Sequence, residues 1–173
     1  METQKSPLKQ IAINYGMLLA LLSIVVLVLM YVFNLEQDWK VSVVVSIVTI
    51  ILFVKAIKTL KAEQQGYISV GQAIKVGLAT AAISGVIGAI YTYLHYSFIY
   101  PEFIDIAIEN ARNQILEGNP DMPQEQYDMA IGMAEKFTSP GMMATFSLIG
   151  SLFFGFIISV ITGLIIQNKR PEN

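Results

Sequence analysis

Three groups of residues in this chain carry chemistry beyond packing. The first is the single histidine, His95, which lies in an apolar stretch among Tyr91, Tyr93, Tyr96 and Tyr100. An ionisable side chain inside a membrane segment is a candidate for a proton relay or a ligand site. A relay needs a chain of titratable groups, and none of the apolar runs contains an acid. The pattern therefore predicts an interfacial histidine hydrogen-bonded to a tyrosine hydroxyl. The second group is Met122, Met129, Met133, Met142 and Met143, with Met129 and Met133 one helical turn apart. Thioethers are soft ligands that select Cu(I). Methionine also fills core gaps and lines adaptable surfaces, and dedicated metal sites repeat it more tightly, so no metal site is expected. The third group is Lys55, Lys58 and Lys61, a helically spaced row that attracts anionic headgroups by about 1 kcal/mol per residue. Membrane orientation alone accounts for that row. Asn14 is read as facing headgroups.

Composition removes most other chemistry. The chain has 173 residues and no cysteine, which excludes disulfides, thiolate metal sites and cysteine nucleophiles. A formal charge of −2 excludes a basic nucleic-acid surface as the dominant feature. No phosphate-binding glycine loop, zinc motif or catalytic triad is present, so neither an enzyme nor a cofactor is expected. Apolar residues make up 54% of the chain and charged ones 14%, against about 25% charged in ordinary soluble domains. Mean hydropathy is +0.58. A bilayer accommodates that much apolar surface, and a soluble core of this size does not.

Crossing a hydrocarbon core of about 30 Å takes roughly 20 apolar residues in a helix. Residues 11–33 form an uncharged run too long for a signal-peptide core, and no small-residue cleavage site follows, so it is read as retained. The second span, 38–58, requires Trp39 at one interface and lysines snorkelling to the other. The third and fourth spans cover 75–99 and 141–166, and the whole chain, 1–173, reads as one membrane domain. Basic residues number eight on one side (Lys5, Lys9, Lys55, Lys58, Lys61, Lys75, Lys169 and Arg170) and three on the other (Lys40, Arg112 and Lys136). Positive residues stay cytoplasmic, which places both termini inside and the loop at 101–140 outside. Eight acids crowd that loop between Glu102 and Glu135.

Small residues recur every fourth position in the last two spans. Ala73, Gly77, Ala81, Gly85 and Ala89 line one face of the third, and Ser147, Ser151, Gly155, Ser159 and Gly163 line one face of the fourth. Residues four apart stack on a helix, and stripes of this kind let helices approach closely in lipid. The expectation is that the two grooves face each other within one chain; the rival is pairing with a second copy in a homo-oligomer. In the outer loop, Ile104, Ile108, Ala111 and Ile115 predict one amphipathic helix, and Tyr127, Ala130, Ile131, Ala134 and Phe137 a second. Gly118, Asn119 and Pro120 break them. Asp121 with Gln124 is expected to cap the second helix, and Ser139 with Pro140 to start the last span. The fold class is thus all-α: a membrane four-helix bundle with a helical extracytoplasmic hairpin between its third and fourth spans.

The segments GYISVGQAIKVG (Gly66–Gly77), YPEF (Tyr100–Phe103) and EKFTSPGMM (Glu135–Met143), with the glycine-rich last span ending in Lys169 and Arg170, carry a family resemblance. The chain is similar to small four-pass bacterial membrane proteins of Bacteroidetes type, the domain of unknown function numbered forty-one ninety-nine. The resemblance implies the bacterial inner membrane and brings no activity, cofactor or catalytic residue. The expected role is a non-enzymatic structural or interaction protein of the envelope, with a protein partner at the acidic outer loop. The alternative is a small oligomeric transporter or channel subunit.

Overall fold

The computed structural model describes residues 7–35 and 39–168. Six helices follow in order: α1 (Pro7–Phe33), α2 (Trp39–Glu63), α3 (Val70–Leu94), α4 (Glu102–Gly118), α5 (Gln124–Thr138) and α6 (Pro140–Ile166). A single π-helical turn, His95–Ile99, extends α3. Four segments, α1, α2, α3 with its π turn, and α6, are long and apolar enough to cross a membrane. Lys5, Lys169 and Arg170 lie outside the described residues.

The chain divides into two compact units, one formed by residues up to Gly88 and from Leu148 onward, the other by Ala89–Ser147. The first unit is an up-and-down helix bundle. One buried cluster joins Ile11 at the start of α1, Ala56, Ile57 and Leu60 near the end of α2, and Ile68, Ala73 and Val76 around the start of α3, with Ile166 packed against it from the end of α6. A second cluster of Leu19, Phe53 and Ala81 sits further along the same helices. Many of the other large apolar side chains point away from the bundle: Leu21, Val32, Ile47, Phe154 and Ile165 are all more than half exposed. That inversion is what a lipid solvent requires, since acyl tails are as apolar as leucine.

The ends of these helices are closed by local chemistry. Asn34, in the left-handed region at φ 53°, ends α1, and the Leu35 N–H reaches back to the Met30 carbonyl at 2.9 Å. This is the glycine-type helix stop with asparagine in the left-handed position. After α2, Gln65 and Gly66 take positive φ in succession (59° and 86°), and the Gly66 N–H bonds the Lys61 carbonyl at 2.9 Å. A capping box starts α3: Ser69 Oγ accepts from the Gln72 N–H at 3.2 Å, and Gln72 Oε1 accepts from the Ser69 N–H at 2.9 Å.

The second unit holds the paired helices α4 and α5, joined across their exposed faces by Arg112 and Glu135 at 3.9 Å. Ile131 is buried in α5, and the remaining expected positions on both inner faces are half-buried except Phe137, which is exposed. One capping expectation is corrected and the other is met by the backbone. Pro123, extended at ψ 141°, is the residue before α5, which leaves Asp121 too far upstream to reach the helix amides; Gln124 Nε2 instead donates to Asp128 at 2.8 Å. The expected start of α6 holds in the backbone, with Pro140 first in the helix and the carbonyl of the extended Ser139 accepting from the Met143 N–H at 3.0 Å; the Ser139 hydroxyl itself donates back to the Lys136 carbonyl at 2.7 Å at the end of α5.

Gly132 in α5 is exposed, and a Cβ there would meet nothing within 4 Å. Gly132→Ala should therefore stabilise the second unit by about 0.5–1 kcal/mol through backbone entropy alone, read as slower hydrogen exchange across Gln124–Thr138. Uniformly fast exchange across α4 and α5 in the parent would contradict the folded hairpin.

Candidate functional site

The two small-residue stripes meet in the first unit. Numbers rise by four along α3 and fall by four along α6, as antiparallel helices in fixed register demand. Gly85 lies against Ser151, where an added Cβ would come 3.0 Å from the serine Cβ and 2.9 Å from Leu148 Cδ1. One turn on, a Cβ on Gly155 would stand 2.6 Å from that of Ala81 and 3.2 Å from the Phe53 ring. Gly77 abuts the Ser159 side chain, and a Cβ on Gly163 would be 2.9 Å from that of Ala73. Each rung thus pairs a glycine against a residue with a small side chain, at a separation that leaves no space for a further Cβ. The outermost members, Ala89 and Ser147, fall in the second unit, where both are half-buried.

The serine hydroxyls in this seam are committed to backbone carbonyls. Ser151 Oγ crosses from α6 to the Ala81 carbonyl at 3.0 Å, and Ser84 Oγ donates to the same carbonyl at 3.2 Å. Ser159 Oγ bonds back to Gly155 within its own helix, the usual way a hydroxyl is satisfied in a membrane helix. Thr80, fully buried in mid-helix, has no hydrogen-bond partner for its Oγ1.

A third stripe escaped the sequence reading. Ala12, Gly16 and Ala20 are buried on α1, and a Cβ on Gly16 would meet Ile83 at 2.8 Å and the Thr80 carbonyl at 3.1 Å. The signal was the same spacing of four, hidden inside a run read only for its hydropathy. α3 is therefore gripped on two sides, and 44% of its most apolar window is buried, against 17–22% in the other three spans.

Of the basic set, Lys55, Lys58 and Lys75 are exposed. Lys61 does more: its Nζ donates to the Ile166 carbonyl at 2.8 Å. A helix C-terminus leaves carbonyls unpaired at the negative end of its dipole, where a cation is favoured. Beside it, Ile68 and Asn168 exchange two backbone hydrogen bonds at 2.9 and 3.0 Å, and Asn168 Nδ2 donates to the Gly66 carbonyl at 3.2 Å. An open cavity of about 460 Å³ lies at this end, lined by Glu63, Gln64, Tyr67, Ser69, Gln72 and Asn168 among others. Ser69, Gln72 and Asn168 already serve the caps just described.

In the second unit, His95 is buried and enclosed by aromatic rings. Its centroid lies 5.7 Å from Tyr91, 5.1 Å from Tyr96 and 6.4 Å from Tyr100, the last two edge-on. Phe103 packs behind Tyr96 at 4.7 Å and Tyr100 at 5.7 Å. The π turn sets this arrangement: the Tyr100 N–H reaches five residues back to the His95 carbonyl at 2.8 Å. Pro101 bars helical geometry from the residue before it, and Tyr100 is duly non-helical at φ −136°, ψ 58°. Tyr93 is exposed, as are Met129 and Met133; Met122, Met142 and Met143 are half-buried. Among the described residues no group of three histidine, cysteine, aspartate or glutamate side chains is placed to hold a metal. Asn14 is exposed and accepts from Gln10 at 2.9 Å.

The seam makes a specific demand. Gly155→Leu and Gly85→Leu should each lower the melting midpoint in detergent, with an overpacking cost of about 1–3 kcal/mol. Ile165→Ala, on a side chain 76% exposed, should leave the midpoint nearly unchanged. Parent-like melting of both glycine variants, with dimer cross-links lost, would assign the grooves to oligomerisation instead.

No curated protein and no solved structure matches the chain. A family model, described as protein of unknown function (DUF4199), matches residues 14–168. That match takes in all four candidate spans nearly whole and the α4–α5 pair between the last two, and the chain belongs to the DUF4199 family.

Proposed function

We propose that this multi-pass protein is a non-enzymatic structural or interaction protein of the bacterial inner membrane, with both termini cytoplasmic and the α4–α5 hairpin outside. The seam is the observation that carries this reading. A conduit through four helices needs polar atoms facing an open path. Here the Ser84, Ser151 and Ser159 hydroxyls are bonded to backbone carbonyls, in an interface too tight for a further methyl group. The runs 11–33, 76–99 and 141–166 contain no acid, lysine or arginine, and His95 in the second of them has no acidic partner in any run to form a relay. The orientation rests on the eight-to-three asymmetry of basic residues. What is left to engage another molecule is the hairpin, with eight exposed carboxylates and only Arg112 and Lys136 against them.

Reporter fusions test the placement. A reporter joined after Asn173 should be active only in the cytoplasm, and one inserted at Asn119 only on the outer side. Both reporters active on one side would overturn the topology. The role itself is tested by cross-linking in native membranes: a specific protein partner captured through residues 102–138 is the expected result, and a chain that captures none would count against it.

A further inference from the structure

One face of the hairpin is built to be covered. On α5, Met129, Met133 and Phe137 stand at intervals of four and are 59%, 55% and 50% exposed. They form a ridge of about 12 Å, two helical turns long. The Phe137 ring lies 5.8 Å from that of Phe146 at the start of α6, so the apolar surface continues past the end of α5. Residues at this spacing share one helix face, which can pack against the apolar face of a partner amphipathic helix. Methionine, unbranched and polarizable, suits a surface that must adapt to its partner.

Charge identifies the occupant. All eight acids from Glu102 to Glu135 are exposed, and Arg112 is already paired with Glu135. Helices that lie on lipid carry lysine and arginine on their polar face; α5 carries Glu125, Asp128 and Glu135 against Lys136 alone. A second copy would set acid against acid, and like charges across an interface suppress pairing. We infer that the Met129–Met133–Phe137 ridge docks a basic amphipathic helix of another protein. This rests on the interaction role proposed above and names the surface and the chemistry of the partner.

The full-length protein in zwitterionic nanodiscs, with methyl-labelled methionine, is titrated with a synthetic leucine–lysine peptide of amphipathic helical spacing. The Met129 and Met133 methyl signals should shift saturably while those of Met17 and Met30 stay fixed. Affinity should fall at least about tenfold for Met129→Gln/Met133→Gln, which keeps helix propensity and charge, and equally for a scrambled peptide of the same composition. Parent-like affinity of the double variant, or equal binding of the scrambled peptide, overturns the proposal. So does broadening of the Met129 and Met133 signals by spin-labelled lipid without peptide, which makes lipid the occupant. Loss of dimer cross-links in the double variant makes it a second copy and overturns the proposal as well. A native partner still cross-linked by the double variant removes the ridge and leaves the interaction role standing. Absence of any cross-linked partner for the parent removes both.

Discussion

The close approach of the α3 and α6 backbones is the constraint on which the rest of the bundle depends. In water, burying apolar side chains drives helices together. In a bilayer that term vanishes between helices, and what remains is dispersion at short range and hydrogen bonding. Dispersion falls off within fractions of an ångström, so it is gained only where side chains are small enough for backbones to meet. Gly77 against Ser159 and Gly155 against Ala81 are such places. The phenylalanines of α6 that would be core residues in a soluble protein, Phe153 and Phe154, are 59% and 62% exposed.

The seam also explains why polar residues are tolerated there. Each buried hydroxyl in hydrocarbon must find an acceptor or carry the cost of desolvation. Ser151 uses a carbonyl on the facing helix and Ser159 one on its own. A cross-helix bond of the first kind fixes register, because a shift of one residue along α6 would carry Ser151 away from Ala81. The smallness that permits close approach is thus also what brings hydroxyl and carbonyl within reach. Between α1 and α2 the cross-helix bond joins two hydroxyls instead, Tyr15 Oη and Thr59 Oγ1, at 3.0 Å.

Much of this was legible in the sequence, and the reasons differ by feature. Three spans could be read because a charge-free run of about 20 residues has few other uses, and the second because Trp39 and the snorkelling lysines extend a shorter run. The stripes on α3 and α6 could be read because their small residues stand out at a fixed interval. The stripe on α1 used the same interval but only three residues, Ala12, Gly16 and Ala20, inside a leucine-rich run. Lys61 was read as charge alone, because its partner, the Ile166 carbonyl, is remote in the chain and belongs to a helix end that sequence does not place. The π turn at His95 leaves no periodic mark; only Pro101 hinted that the helix must change there. The hairpin's inner faces followed from helical spacing, whereas Phe137 satisfied the spacing of a buried residue and is nonetheless exposed, its ring tilted against that of Phe146. Periodicity assigns a residue to a face, but neighbouring elements decide whether that face is covered.

That last distinction bears on where recognition resides. Within the first unit, apolar exposure is the expected consequence of a lipid solvent, and it identifies no partner. α5 is different: it is too short and too acidic to count among the candidate spans, so the lipid explanation does not extend to Met129 and Met133. An exposed apolar ridge on a charged helix needs a reason that exposed leucines on a membrane span do not. Conversely, the seam residues, although the most regular feature of the sequence, are packed within the chain against each other and against Phe53. In this chain, regular small-residue spacing goes with close packing, whereas the methionine-rich, acidic α5 leaves its apolar ridge uncovered.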